Sequence, residues 1–194
     1  MDSLCVYIRG YIHKFRRAFA LISPYPLIET SSNGYRINHD FHIMTDIQQF
    51  DLLWEKAQQA VSASTKVELL KKAIELYRGH VFENASDEHW IVGTVTHYKT
   101  RYIGVVNELL ATLMDAGDYS GVQHYATRAI ELVPENTKAY YWLIIAMIKL
   151  DCTELGKNEI SHAKGHLTAD EFASLKKMLL ADKTFPFAAM FDAK

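Results

Sequence analysis

The residues best suited to chemistry lie near the start of the chain. Arg9, His13, Lys14, Arg16 and Arg17 fall close together, and a helix would set them side by side against phosphate oxygens. Arg36 follows as a further basic residue. By charge alone, a solvated basic face is the favoured explanation for them. Two histidine pairs invite a metal reading: His162 with His166, and His39 with His42. Neither belongs to a His-Glu-x-x-His pattern or adjoins a cysteine, so surface histidines are the expectation and no metal ligand is assigned. Asp170-Glu171 stands at a helix start, where negative charge complements the backbone dipole. The chain has no glycine-rich phosphate loop, dinucleotide fingerprint or nucleophile elbow, so no catalytic residue, enzyme activity or cofactor is expected.

The elements that must position these groups are built from 194 residues, enough for one sizeable core or two small units. Apolar residues make up 49% and charged residues 23%, an ordinary globular mix that argues against disorder. A net charge of −2 exerts no global pull on nucleic acid, so any such contact must come from the local basic patch. Cys5 and Cys152 sit within apolar helical patterns and are expected to be buried or half-buried free thiols. No apolar run reaches the ~20 residues of a membrane span, and no signal-peptide core follows Met1, so a cytoplasmic chain without membrane contact is expected.

Residues 1–42 are basic and then strand-like; residues 43–194 read as helices. Leu4, Ile8, Ile12, Phe15 and Phe19 share one face of a first helix, which Pro24 and Pro26 bring to an end. Asn33-Gly34 between Leu27–Thr30 and Tyr35–Asn38 predicts a hairpin turning on those two residues. Helix, short linker and hairpin follow one another in the order of a recognition helix and its wing. Further helices are expected from near Thr45, then over Val67–Tyr77, Trp90–Ala116, Ser120–Val133, Thr137–Leu150, Glu154–His166 and Glu171–Ala181. Gly79 and Gly117-Asp118 serve as stops, Asn136 as a cap, and Thr168 with Glu171 as a capping box. Short connections make neighbouring helices antiparallel.

A shift of 34 residues carries Val106 onto Tyr140, Leu109 onto Leu143, Leu113 onto Met147 and Ala129 onto Ala163. That is the tetratricopeptide period. The fold expected is mainly α: a tetratricopeptide-like stack of antiparallel helix pairs behind an N-terminal helix and β-hairpin.

Several of these segments resemble the bacterial transcriptional activator domain of the antibiotic regulatory protein family. Ile12–Phe19 is similar to the end of that family's winged-helix recognition helix, and Leu27–Thr30 with Gly34–Ile37 to its wing. Asp46 and Phe50, Leu76-Tyr77-Arg78-Gly79, Trp90, Gly117-Asp118-Tyr119 and Leu132-Val133-Pro134-Glu135 follow in the order of its helical module. The resemblance runs over residues 4–167. It implies a transcription-regulator module that docks a protein of the transcription machinery or self-associates, and that regulates or assists DNA binding. Two helices that precede the recognition helix in that family have no counterpart here, so DNA binding is expected only with a complete winged helix.

The candidate DNA-facing residues are thus Arg9, His13, Lys14, Arg16, Arg17 and Arg36. The candidate partner-facing residues are Tyr98, Tyr102 and Tyr141 with Phe185, Phe187 and Phe191 of the apolar tail. That tail either folds back over the last helix pair or inserts into a partner or symmetry mate. The alternatives are a direct DNA-binding activator, and a small-molecule sensor with a pocket between helix pairs.

Overall fold

The computed structural model describes residues 2–79, 89–187 and 191, with side chains from Tyr7 onward. The loop expected before Trp90, the side chains of Leu4 and Cys5, and residues 188–190 of the tail lie outside the described residues. The chain divides into two compact units, Met1–Thr45 and Asp46–Lys194.

The first unit holds helix α1 (Asp2–Phe19) and strands β1 (Ile28–Ser31) and β2 (Gly34–Ile37), paired antiparallel. The hairpin forms where expected, but its register corrects the sequence reading. Ser31 pairs with Gly34, so the two turn residues are Ser32 and Asn33, and Gly34 opens the second strand with φ +132°. Only glycine adopts that backbone readily, which explains its place beside the turn. Ile12 and Phe19 are half-buried, Phe15 stacks on Phe19, and Phe19 meets Phe41 edge-on. Asn38 is buried and holds the base of the hairpin: its main-chain N–H donates to Leu27 O at 2.8 Å and its side chain to Pro26 O at 3.2 Å.

The second unit is a stack of helices: α2 (Asp46–Gln58), α3 (Ala63–Leu76), α4 (His89–Asp115), α5 (Tyr119–Leu132), α6 (Thr137–Lys149), α7 (Thr153–His166) and α8 (Ala169–Ala181). Each packs on the next, and α6 also packs on α4 and α8. The apolar stripes meet in one core that includes Phe50, Leu70, Ile74, Val106, Leu109, Leu143, Ile144 and Leu175. Removing such stripes from water, at about 25 cal/mol per Å², is the main force holding the stack together.

Local signals set the helix ends. Ser62, Asp118 and Asn136 each accept a main-chain N–H three residues on, and Thr168 with Glu171 forms the reciprocal box. α4 ends with Asp118 N–H donating to Leu113 O at 2.9 Å and Gly117 N–H to Met114 O at 3.0 Å. α6 ends in the same way, through Cys152 to Met147 at 2.8 Å and Asp151 to Ile148 at 3.1 Å. Both are Schellman closures, with the left-handed residue at Gly117 and at Asp151. Cys152, expected to be at least half-buried, is an exposed free thiol. It occupies the turn between α6 and α7, past the last apolar turn of α6, so the helical pattern that suggested burial has already ended.

Candidate functional site

In the second unit, α2 and α4 frame an open recess of about 630 Å³ lined by Trp54, Thr96, His97, Thr100 and Arg101, with Gly93 and Gly104 at its ends. The α4 residues recur every three or four positions and so form one face of that helix. The recess has a tied rim. Tyr98 donates its hydroxyl to Asp51 Oδ2 at 3.0 Å, and Arg101 donates to the other oxygen of the same carboxylate. Arg101 also lies over the Trp54 ring, 4.8 Å from its centroid. Asp51 and Trp54 are one turn apart on α2, so a single turn of that helix holds both contacts. Burial first, and then the bond to Asp51, raise the Tyr98 hydroxyl above its ordinary pKa, keeping it a donor. Trp90, at the start of α4, is 73% exposed and Val92 is 48% exposed.

The other candidate partner-facing residues are placed differently. Tyr102 is fully buried and stacked on Tyr77 with centroids 4.0 Å apart, so it belongs to the core and offers no surface to a partner. Burial drives its hydroxyl well above the ordinary tyrosine range. Tyr141 is half-buried, and its hydroxyl donates to Asp182 Oδ2 at 2.8 Å, beyond the end of α8. Burial pushes the Tyr141 hydroxyl up to about 12, and the Asp182 bond adds to the rise. Burial acts to raise the Asp182 carboxyl. Hydrogen bonds from Thr184 and Tyr141, with the Lys149 charge, outweigh it and hold the carboxyl below its usual value.

Of the tail, Phe185 is buried, and Phe187 and Phe191 are half-buried. Phe191 meets Phe172 edge-on and stacks on Phe185, and Lys176 donates its ammonium to Phe191 O at 3.1 Å. These residues fold back on the last helices. The sequence left that outcome open beside insertion into a partner.

In the first unit, Arg9, His13, Lys14 and Arg17 are exposed along α1, while Arg16 and Arg36 are engaged. Arg16 donates through Nε to Ile28 O at 2.9 Å and through Nη2 to Thr30 Oγ1 at 3.0 Å, and it lies over the Tyr35 ring. Arg36 pairs with Glu29 at 3.0 Å across the hairpin. Both line one recess of about 500 Å³ with Glu29 on its wall. Arg16 therefore ties helix to hairpin. A periodic pattern of charges carries no sign of that job, because it depends on where the strand's carbonyls fall.

A third recess, of about 720 Å³, lies along α5 and includes Arg78, His124, Thr127, Arg128 and Glu131. Sequence reasoning named none of these as site residues, nor the α4 face. That face mixes small residues at helical spacing, Gly93, Thr96, Thr100 and Gly104, with His97 and Arg101, and this spacing was its signal.

A comparison with protein families matches the bacterial transcriptional activator domain over residues 45–158. The chain belongs to this family. The match begins just before α2 and ends within α7, so the α2–α4 recess lies wholly inside the bacterial transcriptional activator domain. The family is one of transcription regulators and not of enzymes. Comparisons with curated proteins and with solved structures found no match. Among the described residues, no helix is long and apolar enough to cross a membrane.

Proposed function

We propose that this chain is the docking module of a bacterial transcription regulator, binding a protein of the transcription machinery or a second copy of itself on the α2–α4 face. Through that contact it regulates or assists the DNA-binding part of the regulator, and it acts in the cytoplasm. Residues 1–42 would serve as the helix-and-wing end of that part, and residues 43–194 as the docking domain.

One observation carries this reading. Within the matched domain, α4 exposes small side chains on successive turns beside a rim fixed by Asp51, Tyr98, Arg101 and Trp54. Small residues let a partner helix approach closely, and a rim already held in place costs little ordering on binding. Tyr98 is the aromatic of the original candidates that stands at this rim; Tyr141 and the tail would act by bracing α8. The test pairs the wild-type chain with Thr100→Arg, which puts a long cation into the recess. Wild type should bind purified RNA polymerase in a pull-down, or dimerise in light scattering, and the variant should lose that binding by at least tenfold with unchanged circular dichroism. Equal behaviour of the two proteins refutes the assigned face.

A second reading is favoured by the exposure of Arg9, His13, Lys14 and Arg17 on α1: direct contact with DNA phosphates. It requires that duplex binding weaken with salt, and that Arg17→Ala lower the salt slope by about one whatever the sequence. No duplex binding at low salt rules it out for this chain.

A further inference from the structure

α7 holds two exposed histidines one turn apart, His162 and His166, with ring centroids separated by 4.3 Å. Their hydrogen bonds fix their chemistry. His162 Nδ1 lies 2.8 Å from Glu159 Oε1, and His166 Nδ1 lies 3.0 Å from the main-chain oxygen of His162. A carboxylate and a carbonyl only accept, so both Nδ1 atoms carry the proton. In the neutral rings this leaves a lone pair on each Nε2. A carboxylate or carbonyl on the far ring nitrogen is the usual arrangement behind a metal-bound imidazole, because it sets the tautomer and aims the ring. The Glu159 side chain is only 18% exposed, and Tyr140 backs the His162 ring edge-on at 6.0 Å. The His162 ring is therefore held from two sides.

The spacing fits a single ion. With metal–nitrogen bonds of about 2.0–2.1 Å, two imidazoles at right angles around one ion have centroids about 4.5 Å apart. The observed ring separation of 4.3 Å is close to that value. His97 and His124 differ from this pair: neither has a second histidine one turn away, and each meets its neighbouring tyrosine edge-on.

We propose that the Nε2 atoms of His162 and His166 chelate one divalent transition-metal ion on the solvent face of α7, with Glu159 as a positioning residue. Among the described residues no cluster of three or more His, Cys, Asp or Glu suits a metal. The chain thus supplies two ligands, and solvent or a partner's side chain fills the rest. Imidazole ligands suit Cu(II) and Zn(II), and Cu(II) binds the tighter of the two. This site lies outside the α2–α4 recess and is independent of the docking reading.

The experiment uses the tag-free full chain in a non-coordinating buffer, titrated with Cu(II) or Zn(II) and followed by calorimetry. Electron paramagnetic resonance of the Cu(II) form gives a second readout. One ion should bind per chain, with nitrogen splitting from two imidazoles. His162→Ala and His166→Ala should each weaken binding by at least tenfold and leave one imidazole in the spectrum, while His124→Ala changes nothing. Glu159→Gln should weaken binding about tenfold without altering the circular dichroism. Failure of both ions to bind at millimolar concentration, or binding untouched by either alanine variant, overturns the site. Full affinity in Glu159→Gln removes Glu159 from it.

Discussion

Gly117 and Asp151, separated by 34 residues, hold equivalent positions: each is the left-handed residue that closes a helix and sends the chain into the next. α4 and α6 end two residues before them, and α5 and α7 begin two residues after. The sequence period of 34 is thus repeated in the turns as well as in the apolar positions. One turn has the residue that suits it, and the other carries a side chain in a conformation that L-residues avoid. Asp151→Gly should raise stability by about 0.5–1 kcal/mol, and Gly117→Ala should lower it by about 1 kcal/mol, in urea unfolding. Equal and opposite signs to these would show that the two turns are not equivalent.

On the α4 face, stability and the proposed docking can be tested separately. A Cβ added at Gly93 or Gly104 meets nothing within 4 Å. Gly→Ala at either position should therefore stabilise the helix by about 0.5–1 kcal/mol. If a partner helix packs closely there, the same methyls should weaken docking. A more stable Gly93→Ala/Gly104→Ala protein with undiminished partner affinity would count against the close approach.

Alkaline pH should unfold the second unit early. Tyr140 and Tyr141 stand at about 12 in the folded chain against 10.0 when unconstrained, mainly through burial. Above pH 10 the unfolded chain sheds protons that the folded chain retains, so stability is full below pH 10 and falls from there toward pH 12. Tyr141→Phe removes one of these protons and should flatten the decline in denaturation midpoints measured across that window.

Arg16 and Arg17 are adjacent in sequence and should respond differently to truncation. Arg16→Met loses both hydrogen bonds to β1, and amide exchange in the hairpin should accelerate. Arg17→Ala removes an exposed charge and should leave that exchange unchanged.

Helix positions and caps were legible from the residues. Asn136, Thr168 and Glu171 cap as their types and spacing suggest, because caps are local bargains between a side chain and the nearest N–H groups. The hairpin was legible as an element but not in its turn. Ser31 opposite Gly34 is a pairing decided between strands, and a one-residue change in the loop leaves the composition untouched. Burial of Tyr102 and exposure of Cys152 depend on which neighbours cover them, and period alone gives the face and not the cover. The histidine pair was visible as a spacing. Its tautomers follow from Glu159 and a main-chain oxygen, which only the folded helix brings to the rings. The α4 recess was hardest to see, since its lining joins small residues, His97 and Arg101 of one helix to Trp54 of another, and only folding brings these together.

At 27 residues, α4 is a continuous rod about 40 Å long. Its near end bears the exposed Trp90, and its far end carries the buried core residue Leu113. Between these ends the same helix packs on α3, α5 and α6. A single unbroken helix thus runs from open solvent to the packed interior of the module.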